Sequence, residues 1–374
     1  MQDHKARDAD CLQGLNAVGK LKGFTDQKAP PPFWLANAVQ VGYNSSMTKG
    51  RFAPSPSGRM HLGNIYAALI SWLSAKKDGG AWLLRIEDLD RQRCKREWAD
   101  QLMDDLLWLG LEWDEGPTPA GNACNAKNES TAKIAGGAAP QSFFQSERDS
   151  IYQKYFRALE EHGLVYDCFC RRADLLASSA PHANDGTPIY AGTCRDLSAA
   201  DRERLLKERS PAKRIRLPDR ESVFVDGHYG QQKCKLARDC GDFILRRADK
   251  NFSYQLAVTV DDALMGVTQV ARGRDLLTST HQQLFLYNAL GLAVPQFYHF
   301  PLLVNKEGRR LSKRDKDTDM GYLRSRFAPQ EIIGKLMFLC GMAPTDKAMD
   351  LQEAAAFFAW NKLPQENIVV GKGF

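Results

Sequence analysis

The stretch from 49 to 93 limits the fold more than any other part of the chain. Arg51-Phe52-Ala53 reads as the end of a short apolar strand, and Pro54, Pro56 and Gly58 break any regular continuation. From Leu62 the apolar residues fall at Leu62, Ile65, Tyr66, Leu69, Ile70 and Leu73, a helical stripe that stops before Asp78-Gly79-Gly80. His61 and Asn64 therefore belong to the first turn of a helix. The next apolar run, Trp82-Leu83-Leu84-Arg85-Ile86, follows about 20 residues on, which makes a βαβ unit with Glu87, Asp88 and Asp90 at the carboxyl end of its second strand.

A helix start presents free backbone N–H groups and the positive end of the helix dipole, so a polyphosphate can bind there, and Gly63 lets it approach the backbone closely. In an open parallel sheet ligands sit at the carboxyl ends of the strands. The candidate site is thus placed before any single residue in it is assigned.

With 374 residues the chain is long enough for a full core and two domains. No apolar run approaches the roughly 20 residues that a membrane span needs. The first 22 residues are polar and lack the apolar centre of a signal peptide, so a cytoplasmic protein is expected. Nine cysteines, an odd number without an export signal, point to reduced thiols or metal ligands. A net charge of +6, spread along the chain, permits an acidic partner such as RNA without requiring one.

Residues 1–46 show no sustained period and contain Ala29-Pro30-Pro31-Pro32, so a flexible extension is expected, dispensable for activity, with Met47 as a possible start. Residues 47–165 make the first half of a catalytic domain. Within it, Arg91 to Leu109 and Ser150 to His162 read as amphipathic helices, separated by a polar surface insertion at 118–140. Residues 166–240 form a smaller segment bearing Cys168, Cys170 and Cys194, a layout in which three thiols can hold one metal ion. The fourth ligand is open on residue type alone, with His182 favoured because imidazole is a commoner ligand than a phenol. Cys234 and Cys240 read as ordinary thiols. Residues 241–320 return to the catalytic domain: Gly241–Arg247, Phe252–Asp262 and Val267–Val270 look strand-like, and a helix runs from Thr280 to Leu290. Residues 321–374 read as a short helical end.

His61-Leu62-Gly63-Asn64, Arg-Phe-Ala-Pro-Ser-Pro-Ser-Gly upstream and Arg-Ile-Glu-Asp-Leu-Asp downstream resemble, in motif and spacing, the class I aminoacyl-tRNA synthetases of the glutamate branch. Asn64 departs from the last histidine of that family's His-Ile-Gly-His signature. Arg310-Leu311-Ser312-Lys313-Arg314 stands where the family has its Lys-Met-Ser-Lys-Ser loop. The resemblance implies a Rossmann-like doubly wound parallel sheet in an α/β catalytic domain, and activation of an amino acid by ATP with Mg2+. His61 and Lys313 are then the catalytic groups, and His61, Asn64 and Lys313 bind ATP. Arg51 and Arg272 pair with the substrate's side-chain carboxylate, Glu87 with its ammonium, Tyr254 supplies a hydroxyl contact, and Ala53 and Ser55 line the pocket. Arg91, Arg93, Lys95 and Arg96 are either an RNA-facing edge or a plain charged helix start.

Within that branch the chain is similar to the short glutamyl-queuosine tRNA(Asp) synthetase family, which has Cys-x-Cys and Tyr-x-x-x-Cys as zinc ligands. Cys168, Cys170, Tyr190 and Cys194 match these one for one, and imply a structural zinc. Almost no length follows Lys313 for an anticodon-binding region, and Val258 stands where glutamyl-tRNA synthetases tend to carry an asparagine. The implied reaction is activation of L-glutamate without tRNA, then transfer to queuosine in the anticodon of tRNA(Asp), by a monomer with no membrane partner. The alternatives are a truncated glutamyl-tRNA synthetase charging the tRNA 3′ end, a non-catalytic RNA-binding paralogue, and a small-molecule nucleotidyltransferase.

Overall fold

The computed structural model describes residues 47–119, 142–171, 189–311 and 319–371. The extension 1–46, most of the 118–140 insertion, His182 and Lys313 lie outside these residues.

β1 (Lys49–Phe52) leads through the Pro-rich loop into α1 (Leu62–Lys76), and β2 (Ala81–Leu84) returns parallel to β1 with Arg51 opposite Leu83. All six apolar residues of the expected stripe are buried on α1. Gly80 allows the tight return, because a Cβ there would stand 2.4 Å from the Thr48 carbonyl oxygen. α2 (Arg96–Trp108) starts later than the sequence suggests. Before it, residues 91–95 form a turn in which the Cys94 N–H donates to Asp90 O and the Lys95 N–H to Pro56 O. α3 (Asp149–Glu161) buries Tyr152, Phe156 and Leu159.

The segment that follows is antiparallel: β3 (Val165–Cys168), α4 (Ala199–Glu208), β4 (Ala212–Ile215), the hairpin β5 (Glu221–Asp226) and β6 (Gly230–Lys235), and β7 (Ile244–Arg246), with sheet order β3-β4-β7. The chain then re-enters the parallel layer through α5 (Tyr254–Leu264), β8 (Gln269–Gly273), α6 (Leu277–Ala289) and β9 (Gln296–Phe300). β8 runs parallel to β9, and the Thr268 N–H donates to Lys49 O at 2.9 Å, which joins β8 to β1. Adjacent residues of β2 serve opposite faces: Trp82 and Leu84 pack with α1, while Leu83 packs with Tyr287 and Phe297. A sheet with helices on both faces is the doubly wound arrangement.

One expectation fails here. Phe252–Asp262, read as a strand from its β-branched and aromatic residues, contains the helix α5, capped by Ser253, whose hydroxyl accepts from the Leu256 N–H. Helix propensity differs by only a few tenths of a kcal/mol for Val and Thr. Burial of Leu256, Ala257 and Val260 against α3 and α6 outweighs that difference. The end of the chain is helical as expected, in α7 (Met320–Arg326), α8 (Pro329–Leu339) and α9 (Leu351–Phe357). It also adds a strand that the sequence did not suggest, β11 (Ile368–Val369), parallel to β10 (Leu303–Val304).

Candidate active site

A cavity of about 530 Å3 opens at the carboxyl ends of β1, β2 and β8. Its lining includes Arg51, Ala53, Ser55, His61, Asn64, Glu87, Tyr254 and Arg272, which are all the amino-acid and ATP candidates within the described residues. Arg310 and Leu311, which precede Lys313, line the same cavity.

His61 is the N-cap of α1. Its Nδ1 accepts from the Gly63 N–H at 3.1 Å, and the Asn64 side-chain oxygen accepts from the His61 N–H at 3.1 Å. Asn64 thus closes a reciprocal cap. A Cβ at Gly63 would lie 3.0 Å from the imidazole Cε1, so glycine leaves room for the ring as well as for a ligand.

Arg51 and Arg272 reach the cavity from strands distant in sequence, and both are buried. The Arg51 Nε faces both oxygens of Asp262 at 3.3 Å. Arg85, wholly buried, donates to Asp262 at 2.8 Å and to Glu87 at 3.1 Å. Burial pushes the Asp262 pKa up, but Arg51 and Arg85 outweigh it and hold the carboxyl below its usual range. For Glu87 burial wins over the pull of Arg85 and Arg51, and its pKa is raised. Arg272 is held by neutral partners: its Nε donates to His299 Nε2 at 3.0 Å and its Nη2 to Thr280 Oγ1 at 2.8 Å. Its buried Nη1 has no hydrogen-bond partner among the described residues. A buried guanidinium N–H left open is costly unless a ligand fills the gap, and a carboxylate suits it best.

The acids beyond Glu87 do different work. Asp88 accepts from the Ser146 N–H at 2.8 Å and from its hydroxyl at 2.6 Å, and Asp90 from the Arg93 N–H at 3.3 Å, so both fasten the loop. Arg96 lies 3.9 Å over the Phe144 ring.

The family model for tRNA synthetases class I (E and Q), catalytic domain, matches residues 47–370. The chain belongs to this family. Two similar curated relatives are the glutamyl-Q tRNA(Asp) synthetase of Symbiobacterium thermophilum, 42% identical over 86% of this chain and 95% of its own length, and that of Nitratidesulfovibrio vulgaris, 44% identical over 80% and 88%. Glutamate–tRNA ligase 1 of Halorhodospira halophila is 40% identical, and the match spans 84% of this chain but only 63% of the relative. Among solved structures, a glutamate tRNA ligase from Elizabethkingia meningosepticum, described in complex with its amino acid, superposes with a TM-score of 0.69 at 28% identity, covering 87% of this chain and 67% of that one. As a class I tRNA synthetase the chain is a ligase that uses ATP with Mg2+.

In this class I chain the sulfur atoms of Cys168, Cys170 and Cys194 all lie within 4.8 Å of one another. The Tyr190 hydroxyl joins them, 3.6 Å from Cys168 Sγ and 3.9 Å from Cys170 Sγ, and Cys170 and Cys194 are 3.6 Å apart. Metal–sulfur bonds of about 2.3 Å and a metal–oxygen bond of about 2.0 Å at tetrahedral angles require ligand separations of roughly 3.5–3.8 Å. The three distances from Tyr190 to Cys168, from Tyr190 to Cys170 and from Cys170 to Cys194 lie close to those values. Cys234 and Cys240 are not part of the group, and their sulfur atoms approach each other to 3.1 Å.

Beside the main cavity a second one, of about 470 Å3, shares a wall with it made of Ser55, Ser57, Glu87 and Tyr254. His61 and Asn64 line only the first; Arg93, Arg247 and Phe252 line only the second. Val258, on α5, is fully buried.

Sequence reasoning assigned nothing to Arg85, Asp262, Thr280 or His299. The one available signal was Arg85 itself, a cation inside the apolar run Trp82–Ile86, where an unpaired charge does not persist.

Proposed function

We propose that the chain activates L-glutamate with ATP in the absence of tRNA and then transfers the glutamyl group to queuosine in the anticodon of tRNA(Asp). The observation that carries this reading is the open Nη1 of Arg272 in the same cavity as Arg51, beside the capped start of α1. The two guanidinium groups clasp the side-chain carboxylate, Glu87 takes the ammonium, Tyr254 adds a hydroxyl, and Ala53 and Ser55 shape the pocket. The names and near-complete coverage of the two similar short relatives support queuosine as the acceptor.

The α-carboxylate oxygen attacks the α-phosphorus of ATP. A new P–O bond forms, the bond to pyrophosphate breaks, and its electron pair leaves with pyrophosphate. No proton moves, so the site needs donors aimed at phosphate oxygens more than it needs a base. His61, Asn64 and the backbone at the start of α1, with Lys313, fill that need. Mg2+ arriving with ATP neutralises phosphate charge. In the second step an acceptor hydroxyl attacks the glutamyl carbonyl, the bond to AMP breaks, and AMP leaves with the bond's electron pair while the hydroxyl proton passes to the departing phosphate or to solvent. The second cavity borders the amino-acid end of the first and not its phosphate end, which suits entry of the acceptor from that side. Cys168, Cys170, Tyr190 and Cys194 would hold a zinc ion, whose part with four protein ligands would be structural. The protein works as a monomer in the cytoplasm.

The test is pyrophosphate exchange with glutamate and no tRNA, followed by transfer of labelled glutamate to tRNA(Asp) with and without queuosine and mapping of the label. Exchange without tRNA, and label on the anticodon stem-loop only when queuosine is present, supports the reading. Label on the 3′ end, or no exchange, rejects it.

A further inference from the structure

Arg272 and His299 are direct partners across the parallel β8–β9 ladder, so their side chains stand on one face of the sheet. His299 is fully buried; its Nδ1 faces Asp226, and its Nε2 faces both the Nε of Arg272 and, at 3.2 Å, the Thr280 hydroxyl, which donates to Leu276 O. Nδ1 lies 2.6 Å from Asp226 Oδ2, and Nε2 lies 3.0 Å from the Nε of Arg272, which can only donate. Asp226 ends β5, in the antiparallel segment outside the parallel layer. Its other oxygen, Oδ1, accepts from the N–H groups of His228, Tyr229 and His299 at 3.0, 2.9 and 3.3 Å. With so many donors this carboxyl stays ionised. It can therefore only accept, and His299 must carry its proton on Nδ1 and present a lone pair at Nε2.

We propose that Asp226 and His299 are positioning residues for amino-acid recognition. The hairpin carboxylate fixes the tautomer of His299, and the ring holds the Arg272 guanidinium by its Nε so that Nη1 stays directed at the substrate carboxylate. The inference rests on the glutamate reading above for its kinetic consequence, but its tautomer part stands without it. The second anchor, Thr280 Oγ1, stands beside His299 and holds Nη2, so that among the described residues Nη1 is the terminal nitrogen of Arg272 without a partner. Neither Asp226 nor His299 lines the main cavity, which is why both act through the arginine.

Asp226→Asn is the decisive variant. The amide oxygen keeps the three backbone N–H groups, while the amide nitrogen, now a donor, faces Nδ1 and drives the ring proton to Nε2. The Nε of Arg272 then loses its acceptor, because an Nε2–H can bond only to the neighbouring Thr280 hydroxyl. A charge-assisted hydrogen bond lost in this way raises the KM for glutamate in pyrophosphate exchange by about 10- to 100-fold. The KM for ATP stays within about twofold, and kcat changes less than the glutamate KM. Nitrogen-15 NMR of the side chain, which needs no substrate, shows the Nδ1–H form of His299 in the parent protein and the Nε2–H form in the variant. An unchanged tautomer, or equal changes in the two KM values, overturns the proposal. If the parent has the expected tautomer but shows no glutamate-dependent exchange, the glutamate reading fails and the Asp226–His299–Arg272 geometry survives it. Should Asp226→Asn not fold, two variants of His299 decide. Gln places an oxygen near the position of Nε2 and keeps the acceptor for Arg272, whereas Asn keeps only the group facing Asp226. The proposal requires His299→Gln to retain the lower glutamate KM, and equal values for the two overturn it.

Discussion

Arg85→Met is the sharpest test of how the site is held together. Arg85 has no exposed surface, and three carboxylates surround it: Asp262 at 2.8 Å, Glu87 at 3.1 Å and Asp261 at 3.7 Å. Asp262 retains Arg51, and Asp261 retains Arg148, Gln145 and Tyr152, each at 2.8 Å. Glu87 would lose its ion pair with Arg85 and keep only the longer-range pull of Arg51 among the described residues. Removing one member of a buried ion pair costs about 3–5 kcal/mol, because the charge left behind is poorly compensated. Methionine fills much of the same volume, so little of that cost comes from a cavity. The expected outcome is a loss of about 3–5 kcal/mol in urea-induced unfolding, and a smaller loss in Arg85→Met combined with Glu87→Gln, where the stranded carboxylate is also neutralised. A loss below about 1 kcal/mol for the single variant, or additive losses for the pair, would refute the view that Arg85 exists to compensate Glu87.

Other expectations follow from the same geometry. Cys194→Ser lowers bound zinc from about one per chain to near zero by elemental analysis and lowers stability, while exchange activity at low temperature persists, since the proposed ion has no open position. His299, set by burial at a pKa of about 4 against an ordinary value near 6.5, favours folding only while neutral. Its contribution is whole above about pH 6.5 and is lost as the pH falls towards 4, which unfolding curves measured across that range show. His281, also lowered by burial to about 4, titrates in the same window, so His299→Gln removes only part of the slope. Lys313→Ala lowers pyrophosphate exchange by about 10² or more with unfolding unchanged, and near-normal exchange would mean that the phosphate-handling lysine is elsewhere. Deleting residues 1–46 leaves exchange at the level of the full chain, and its loss would show that the extension takes part.

The parallel core was legible because its signals are local. The spacing from Leu62 to Leu73, the turn at Asp78-Gly79-Gly80 and the run from Trp82 each report one element, and the cavity follows from where such a unit ends. Arg51, Glu87 and Arg272 were reached through family likeness to motifs, and their convergence on one cavity is visible only in three dimensions. What the sequence hid were partnerships across long separations: Arg51 with Asp262, Arg85 with Asp262, and His299 with Asp226. No periodicity reports those, because each pair is set by how two elements pack. The misreading of Phe252–Asp262 has a related cause, since its β-branched residues favour a strand locally while the packing of one face against α3 and α6 favours a helix. Tyr190 shows what ranking ligands by residue type leaves out: its hydroxyl lies 3.6 and 3.9 Å from the sulfur atoms of Cys168 and Cys170, while His182, the candidate that residue type favoured, lies outside the described residues.

The cap on α1 settles more than the start of a helix. By accepting from the Gly63 N–H through Nδ1, His61 uses up the lone pair on that nitrogen, so a neutral ring must keep its hydrogen on Nε2. The imidazole therefore turns a donor towards the cavity without needing a second proton, the polarity that the proposed phosphate contact requires, and backbone folding alone fixes it.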